Sequence, residues 1–389
     1  MTCGLAGALV LSLVVAPAGA EDTFASATLP NGATIAFGLL HTGPATEAAL
    51  GETVLESGRS DVVSRVLWDQ ATGAYFGYRV EVGRRPPAGF RIQFSALEPR
   101  EVEKALRTSN GGRDGPSPRP LSAPALRFPP PQQLGEGEAL TLELLANPTT
   151  GERIYDVVKV SGKPISGVAL ETAVARAREG QEAVRRAAAH VARGRYWEAV
   201  EEYRRALQIQ PRDAALHNKL GICYQQVDNY PMARQEYERA LELNPGYAEV
   251  WNNIGTLEQS QRRLKDAVRA YRKAIHIKRE LATPWKNLGN AYLALDRPEE
   301  AFEAYQEAFR IDPTILEAQG PGIPAVGVDA ATQAFYYAKL LASRGRTEEA
   351  LDFLRRARDA GFRDFARVRS DPDFQAVVAD ERFEALVSE

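Results

Sequence analysis

Hydrophobic and polar positions follow two different periods along the chain. Between residues 25 and 160, short apolar or alternating runs predict β-strands, namely ATIAF, AYFGYRVEV, GFRIQF, ALTLELL and RIYDVVKV. Asn31-Gly32 and Ala71-Thr72-Gly73 are turn sequences between such runs. From Leu170 onward the apolar residues recur at helical spacing. The pattern predicts an α+β multidomain protein, with a β-rich N-terminal domain followed by an all-α region.

The β-rich part, residues 21–165, has enough aromatic and branched residues for a core of its own. Its core candidates are Trp68, Tyr75, Phe76, Tyr78, Phe90 and Phe94. We expect a sandwich-like fold or a small barrel. Residues 109–131 are too rich in Pro and Gly for a regular element, so we predict a loop or linker there.

The helical region carries an internal repeat of 34 residues, which separates Pro211 from Pro245. Small residues and a tyrosine recur once per repeat. They are Ala187, Gly221, Gly255 and Gly289 at the eighth position, Ala199, Ala233, Ala267 and Ala301 at the twentieth, Tyr203, Tyr237, Tyr271 and Tyr305 at the twenty-fourth, and Ala206, Ala240, Ala274 and Ala308 at the twenty-seventh. Repeats therefore start near 180, 214, 248 and 282. A fifth starts near 331, after an insertion at 316–330.

These columns resemble the tetratricopeptide repeat (TPR) family. The resemblance implies pairs of antiparallel helices that stack into a solenoid over residues 170–362, closed by a C-terminal capping segment at 363–389. Small residues let the helices approach closely, and the tyrosine fills the space between them. Arg279 stands where the family usually has a terminating proline, so we expect the second helix of repeat three to continue into repeat four.

The N-terminus has the features of an export signal. An apolar run from Gly4 to Ala16 is followed by Ala18-Gly19-Ala20, a small-x-small cleavage pattern. The run is too short to span a bilayer, so we expect cleavage after Ala20 and a periplasmic or secreted protein without a stable membrane span. The alternative is a cytoplasmic protein, because the first residues lack the Lys or Arg that is usual in a signal peptide.

Composition and motifs argue against nucleic-acid binding and against a catalytic role. The formal charge is −3, whereas nucleic-acid binders usually carry a clustered basic surface. The four histidines are scattered, and motifs for metal ligation, nucleophilic catalysis or phosphate binding are missing from the sequence. We therefore expect a non-catalytic protein that holds neither cofactor nor metal.

The resemblance implies where a partner would bind, because the first helices of TPR hairpins line a concave groove. Polar groups in that groove can pair with both the N–H and the C=O of an extended peptide. The candidate groove residues are Asn218, Lys219, Ile222, Gln225, Asn252, Asn253, Thr256, Lys286, Asn287, Asn290 and Leu293. Lys286 and Asn290 are also similar to one half of the carboxylate clamp of some family members. The full set for the other half is missing.

The function that we expect is a protein-interaction scaffold of the cell envelope, with a protein or peptide partner held in the groove. The alternative is that the β-rich domain binds or cleaves a carbohydrate or peptide, with the array positioning it. Only aromatic residues that could be exposed, Trp68 and Tyr75 to Tyr78, support this alternative. The sequence leaves the oligomeric state open.

Overall fold

The computed structural model describes residues 24–41, 50–56, 61–69, 74–84, 89–98, 100–102, 119–120, 132–146, 153–316 and 328–388. The predicted signal peptide, most of the predicted loop at 109–131, and residues 317–327 of the predicted insertion lie outside them. The described residues form two compact units that divide between Arg185 and Arg186, except that Gln208–Pro211 belong to the first unit.

The first unit contains two β-sheets. Its strands are β1 (Phe24–Thr28), β2 (Thr34–His41), β3 (Leu50–Glu56), β4 (Val62–Asp69), β5 (Ala74–Arg84), β6 (Phe90–Ala96), β7 (Arg119–Pro120), β8 (Gln132–Leu134), β9 (Ala139–Ala146) and β10 (Arg153–Ser161). One sheet has the order β1-β2-β10-β9, and the other has the order β3-β4-β5-β6-β8 with the short β7 parallel to β5. The α+β class is confirmed. The five predicted strands are β2, β5, β6, β9 and β10, whereas β1, β3, β4, β7 and β8 were not predicted. The two-residue β7 lies within the predicted loop at 109–131.

Both sheets contribute to one hydrophobic core, as expected of a sandwich-like fold. The buried residues are Ile35, Phe37, Val158 and Val160 from the first sheet and Val63, Leu67, Tyr78, Val80, Val82, Phe90, Ile92 and Phe94 from the second. At the β1–β2 turn, Gly32 has a φ of 78°, a conformation that favours glycine. The side-chain amide of Asn31 donates to the carbonyl of Val82 on the other sheet. This turn was predicted from Asn31-Gly32, and β1 pairs antiparallel with β2 around it.

A buried ion pair also joins the two sheets. Arg65 on β4 donates from Nε to Oδ2 of Asp156 on β10 at 2.7 Å, and both side chains are 0% exposed. The hydroxyl of Tyr78 on β5 donates to the same oxygen at 2.7 Å. The Arg65 guanidinium lies over the ring of Phe37, 4.8 Å from its centroid. A buried ion pair persists only when it is hydrogen-bonded in this way, because each charge has lost its hydration.

The rest of the chain is helical. The helices are α1 (Gly167–Ala192), α2 (Tyr196–Ile209), α3 (Ala214–Gln226), α4 (Tyr230–Leu243), α5 (Ala248–Ser260), α6 (Leu264–Ile277), α7 (Ala282–Ala294), α8 (Pro298–Ile311), α9 (Ala330–Ser343), α10 (Thr347–Asp359), α11 (Phe365–Ser370), α12 (Gln375–Val378) and α13 (Glu381–Ser388). Val174 and Ala177 of α1 pack on β10 in the first unit. From α3 to α10, consecutive helices form hairpins, and α3, α5 and α7 start 34 residues apart.

Each central hairpin is held by a glycine of its first helix and a tyrosine of its second. The rings of Tyr237, Tyr271 and Tyr305 are fully buried. A Cβ at Gly221 would lie 2.6 Å from Cε1 of Tyr237, and one at Gly289 would lie 2.5 Å from Cε1 of Tyr305. Real carbon atoms keep about 3.5–4.0 Å apart, so a side chain at these positions would displace the ring.

The hairpins also share their turn geometry. The second residue after the end of each first helix has a positive φ, at Asp228 (57°), Arg262 (58°), Asp296 (56°) and Gly345 (72°). The expectation that the second helix of repeat three continues into repeat four is wrong. Helix α6 ends at Ile277, and the carbonyl of Arg279 accepts a hydrogen bond from the indole of Trp285 on the next helix, so a proline is not needed for the chain to turn.

The C-terminal segment completes the core of the last hairpin. Val368, Phe374, Val377, Phe383 and Leu386 are buried in the same cluster as residues of α9 and α10. The ring of Phe335 on α9 contacts Phe362 and Phe374 at centroid distances of 4.9 and 5.7 Å. Among the described residues, helices with the length and apolar character needed to cross a bilayer do not occur.

Candidate functional site

The first helices of repeats two, three and four bring most of the predicted site residues to one face, which we call the first-helix face. It consists of the polar and apolar side chains of α3, α5 and α7 named as candidates above. Amide side chains pair across it from helix to helix. Asn253 donates from Nδ2 to Oδ1 of Asn218 at 2.8 Å, and Asn287 donates to Oδ1 of Asn252 at 3.0 Å. We call these four residues the asparagine ladder. It connects three successive repeats.

The ladder follows from the repeat itself. Each hydrogen bond joins the fifth position of one repeat to the sixth position of the next, a separation of 35 residues. Because the repeat is 34 residues long, the pairing recurs at the same place in the stack. A longer contact of 3.4 Å from Asn252 to Asn253 connects the two pairs. An amide can take part in about four hydrogen bonds, so the ladder leaves donors and acceptors over.

A second set of amides serves the packing instead, and sequence reasoning missed this role. The hydroxyls of the buried tyrosines donate to amide oxygens of the first helix: Tyr237 to Gln225 at 2.8 Å, Tyr271 to Gln259 at 3.0 Å and Tyr305 to Asn290 at 2.7 Å. Gln225 and Asn290 are only 4% and 6% exposed. The side-chain nitrogen Nε2 of Gln225 has no hydrogen-bond partner in the part of the chain that the structure describes.

The sequence carries a signal for this network, because Gln225 and Gln259 stand at the same repeat position, twelve residues before the tyrosine. Leu293 occupies that position in repeat four and cannot accept a hydrogen bond. The Tyr305 hydroxyl turns to Asn290 instead, and the same Asn290 oxygen accepts from Nε2 of Gln333 at 2.6 Å. Burial raises the pKa of Tyr237, Tyr271 and Tyr305, so these hydroxyls remain donors over the accessible pH range.

The two lysines of the first-helix face differ in their surroundings. Lys286 donates from Nζ to the carbonyl of Ile315 at 3.2 Å. Burial lowers its pKa, and the charge of Asp312 opposes that shift. Lys219 is half-buried and makes no ion pair or hydrogen bond within the described residues. The half-clamp of Lys286 and Asn290 thus has its lysine turned toward the chain's own backbone and its amide oxygen engaged with Tyr305 and Gln333.

The remaining predicted residues offer apolar surface. Ile222 and Leu293 are half-buried, and Leu293 packs against the cluster that contains Tyr305. The hydroxyl of Thr256 donates to the backbone carbonyl of Asn253 on its own helix at 2.8 Å. The first-helix face therefore combines a polar ladder with apolar side chains at either end of it.

The alternative site in the β-rich domain loses one of its residues. Tyr78 was given both as a core candidate and as an aromatic that could be exposed, and it is a core residue. It is fully buried because its ring packs between the sheets near Phe37 and its hydroxyl binds Asp156. The side chains of Trp68, Tyr75 and Phe76 lie outside the described residues. In the described part of the chain, no group of three or more His, Cys, Asp or Glu residues could hold a metal ion.

The helical hairpins repeat along the chain, and in each central hairpin a glycine of the first helix packs against a tyrosine of the second. This arrangement defines a stacked-hairpin repeat protein. Residues 187–228, 212–280 and 282–315 match three family models described as TPR or tetratricopeptide repeats. Residues 187–315 therefore consist of tetratricopeptide repeats, and a β-rich N-terminal domain precedes them. The hairpin of α9 and α10 lies beyond the matched residues. Repeats of this family are generally non-catalytic scaffolds for protein interaction.

Solved structures match parts of the chain at low identity. Pseudomonas aeruginosa PilF is 20% identical, with 55% of this chain and 89% of that chain covered and a TM-score of 0.39. MamA is 18% identical, with 45% and 93% covered and a TM-score of 0.33. The first TPR domain of Spaghetti (RPAP3), bound to an HSP90 peptide, is 17% identical, with 31% and 95% covered and a TM-score of 0.29. No curated protein matches the chain. Similarity at these levels carries no information about what this chain binds.

Proposed function

We propose that this protein is a non-catalytic scaffold of the cell envelope whose first-helix face binds an extended segment of a partner protein. The asparagine ladder is the observation that carries the proposal. It places hydrogen-bonding amides on α3, α5 and α7, with one rung, a single hydrogen bond, between each two successive repeats, and leaves part of each amide's capacity unused.

The spacing of the rungs suits an extended chain. Packed helices lie about 8–10 Å apart, and an extended strand advances about 3.3 Å per residue. One rung therefore corresponds to about three residues of ligand, and three repeats correspond to a segment of about nine residues. Backbone pairing of this kind favours an extended conformation over a particular sequence.

Hydrogen bonds alone give limited affinity. Six neutral hydrogen bonds at about 1 kcal/mol each fall short of the roughly 8 kcal/mol of a micromolar complex, before the cost of ordering the ligand. The ligand must also compete with the amide–amide pairs of the ladder. We therefore expect an apolar ligand side chain to contact Ile222 or Leu293, which flank the ladder and are half-buried.

The test uses peptides selected from a random library for binding to the intact protein. We expect the selected peptides to bind at least tenfold more weakly to an Asn218→Ala/Asn253→Ala/Asn287→Ala variant. A matched control, Gln235→Ala/Glu238→Ala/Arg239→Ala, removes three exposed polar side chains of α4 and should leave affinity unchanged. Thermal unfolding of both variants checks that each still folds. Equal affinity for the wild type and the ladder variant would refute the groove assignment.

The envelope location rests on the apolar run at Gly4 to Ala16 and on the small-x-small pattern that ends at Ala20. Cell fractionation followed by N-terminal sequencing tests it separately from the groove. A mature protein that begins at Glu21 in the envelope fraction is the expected result. A protein that retains Met1 and is found in the cytoplasm would contradict the location and leave the peptide-binding test unaffected.

A further inference from the structure

The second helix of repeat three differs in charge from the rest of the chain. Between residues 262 and 280 there are eight Lys or Arg residues and two acidic residues, in a chain whose net charge is −3. Helix α6 forms the centre of this segment. The sequence analysis judged nucleic acid by net charge over the whole chain and did not detect this local excess.

The basic residues form a stripe that runs along α6 and into the turns at its two ends, where Arg262 and Arg279 lie outside the helix. Arg262, Lys265, Arg269, Arg272, His276 and Arg279 follow one another at intervals of three or four residues, and all are exposed. We call these six residues the basic stripe. Its helical part, from Lys265 to His276, extends about 17 Å at 1.5 Å per residue. The apolar side of α6, including the buried Tyr271, faces the core of the array.

The stripe carries charges that the chain itself does not neutralise. Exposed arginines of the other second helices pair with an acidic residue three positions away: Arg204 with Glu201, Arg239 with Glu242 and Arg310 with Glu307. In the stripe Arg269 pairs with Asp266 in the same way. Arg262, Lys265 and Arg279 make no ion pair within the described residues.

Like charges on one helix face repel, so the stripe destabilises the unbound helix. Lys265 and Arg269 lie four positions apart, and Arg269 and Arg272 lie three positions apart. An acidic partner that lies along α6 would relieve this repulsion.

The neighbouring helices limit the width of the partner. The second helices of the adjoining repeats, α4 and α8, expose Glu238 on one and Glu299 and Glu303 on the other, whereas Glu242 of α4 is paired with Arg239. A bilayer or a nucleic-acid duplex presents phosphates over a surface wider than one helix, and would bring them toward these carboxylates. A single acidic helix or strand fits the stripe without that repulsion.

The chemistry of the surface points the same way. Among the described residues, the large apolar side chains that are mainly exposed are Val168 and Trp197, and neither lies on α6. The stripe therefore lacks the exposed aromatics on which single-stranded nucleic acid stacks and the apolar side chains that anchor a helix in a membrane interface.

We propose that α6 is a docking site for an acidic segment of a partner protein, on a different surface from the first-helix face. The segment lies along the basic stripe and is about one helix wide. Arg262, Lys265 and Arg279 bind its carboxylates, and the exposed carboxylates of α4 and α8 disfavour wider anionic surfaces.

The test measures binding of a labelled peptide of about four helical turns that repeats Glu-Ala-Ala-Glu, with a Gln-Ala-Ala-Gln peptide as the neutral probe. Fluorescence anisotropy with the full-length protein should show binding of the acidic peptide only, weaker at about 0.15 M ionic strength than at low salt. An Arg262→Gln/Lys265→Gln/Arg279→Gln variant should bind about tenfold more weakly, because it removes the three stripe charges that make no ion pair within the described residues.

The matched control is Arg204→Gln/Arg239→Gln/Arg310→Gln, which removes the same charge from α2, α4 and α8. We expect its affinity to remain within about twofold of the wild type, because these arginines are already paired within the chain. Thermal unfolding verifies that both variants fold. The ladder variant should also bind the acidic peptide normally, which separates this test from that of the first-helix face.

Three results would overturn the proposal. One is failure of the wild type to bind the acidic peptide at low salt. Another is equal weakening by both triple variants, which would show that only net charge matters. The third is tighter binding to vesicles that contain anionic phospholipid, or to duplex DNA, than to the acidic peptide at the same ionic strength.

Discussion

Replacement of Gly255 by alanine tests the packing rule on which the array depends. A Cβ at this position would lie 2.5 Å from Cδ1 of Tyr271. Carbon atoms in contact are normally about 3.5–4.0 Å apart, so the ring would have to move by about 1 Å. It has little freedom to do so, because it is fully buried and its hydroxyl is bound to Gln259.

Two opposing effects set the magnitude. Alanine normally stabilises a helix interior relative to glycine by about 0.5–1 kcal/mol. Overpacking of a filled core costs about 1–3 kcal/mol, and the short distance at Gly255 places this site near the upper end. We therefore expect Gly255→Ala to lower the free energy of unfolding by about 1–2 kcal/mol, although helix propensity alone predicts the opposite sign.

The assay is denaturant unfolding of the full-length chain, followed by far-UV circular dichroism. Gly180→Ala is the control, since it also lies inside a helix but its Cβ would be 3.3 Å from the flexible side chain of Ile209. We expect this control to be neutral or stabilising. In a Tyr271→Leu background the penalty of Gly255→Ala should disappear, because the ring that it displaces is gone. A Gly255→Ala protein as stable as the wild type would refute the reasoning.

Three further predictions concern other parts of the chain. Arg65→Met should lower the free energy of unfolding by about 3–5 kcal/mol in equilibrium denaturation, because Asp156 is left charged and buried. Arg65→Met/Asp156→Leu should lower the free energy of unfolding by less, and a double variant as unstable as the single one would contradict this. Arg262→Gly should raise the melting temperature by relieving a φ of 58°, a gain of about 1 kcal/mol, whereas Arg263→Gly should not. Burial raises the pKa of Cys223 to about 12, so its thiol stays protonated at pH 8. Peptide mapping after maleimide treatment should find Cys223 unmodified in the folded protein and modified in denaturant. Rapid labelling of the folded protein at Cys223 would show that the site is open to solvent.

The helical half of the fold could be predicted from sequence because its rule is local and repeated. Four tyrosines recur at 34-residue intervals, and each has a small residue sixteen positions earlier. These pairs determine which helices contact each other and how closely they approach. The family matches over residues 187–315 confirm this prediction. The course of the chain after Ile277 was less predictable, since the expected proline is replaced by a tertiary contact from Trp285.

The β-rich half was predictable only where strands alternate cleanly. Strand β4 reads VVSRVLWD, and its arginine at position 65 looks like a residue that faces solvent. Its buried partner Asp156 is 91 residues away, so the pairing cannot be seen in the local pattern. Strands β1 and β3 mix small, polar and apolar residues, and their positions depend on pairing with β2 and β4.

The candidate site was predicted as a set of positions but not as a network. Repeat arithmetic put Asn218, Asn253 and Asn287 on one face, and the structure brings them within hydrogen-bonding distance of partners on neighbouring helices. The same arithmetic could not show that Gln225 and Asn290 hold tyrosine hydroxyls, because that requires the depth of each side chain in the stack. The peptide-binding test examines this division between the ladder amides, of which Asn218 is itself buried, and the amides that hold tyrosine hydroxyls.

The hydrogen bond from Gln333 to Asn290 joins helices that are separated by the extra residues after α8. Side-chain contacts therefore hold the last hairpin against repeat four in addition to the chain that connects them, so that Asn290 serves both the closure of its own hairpin and the stacking of the next.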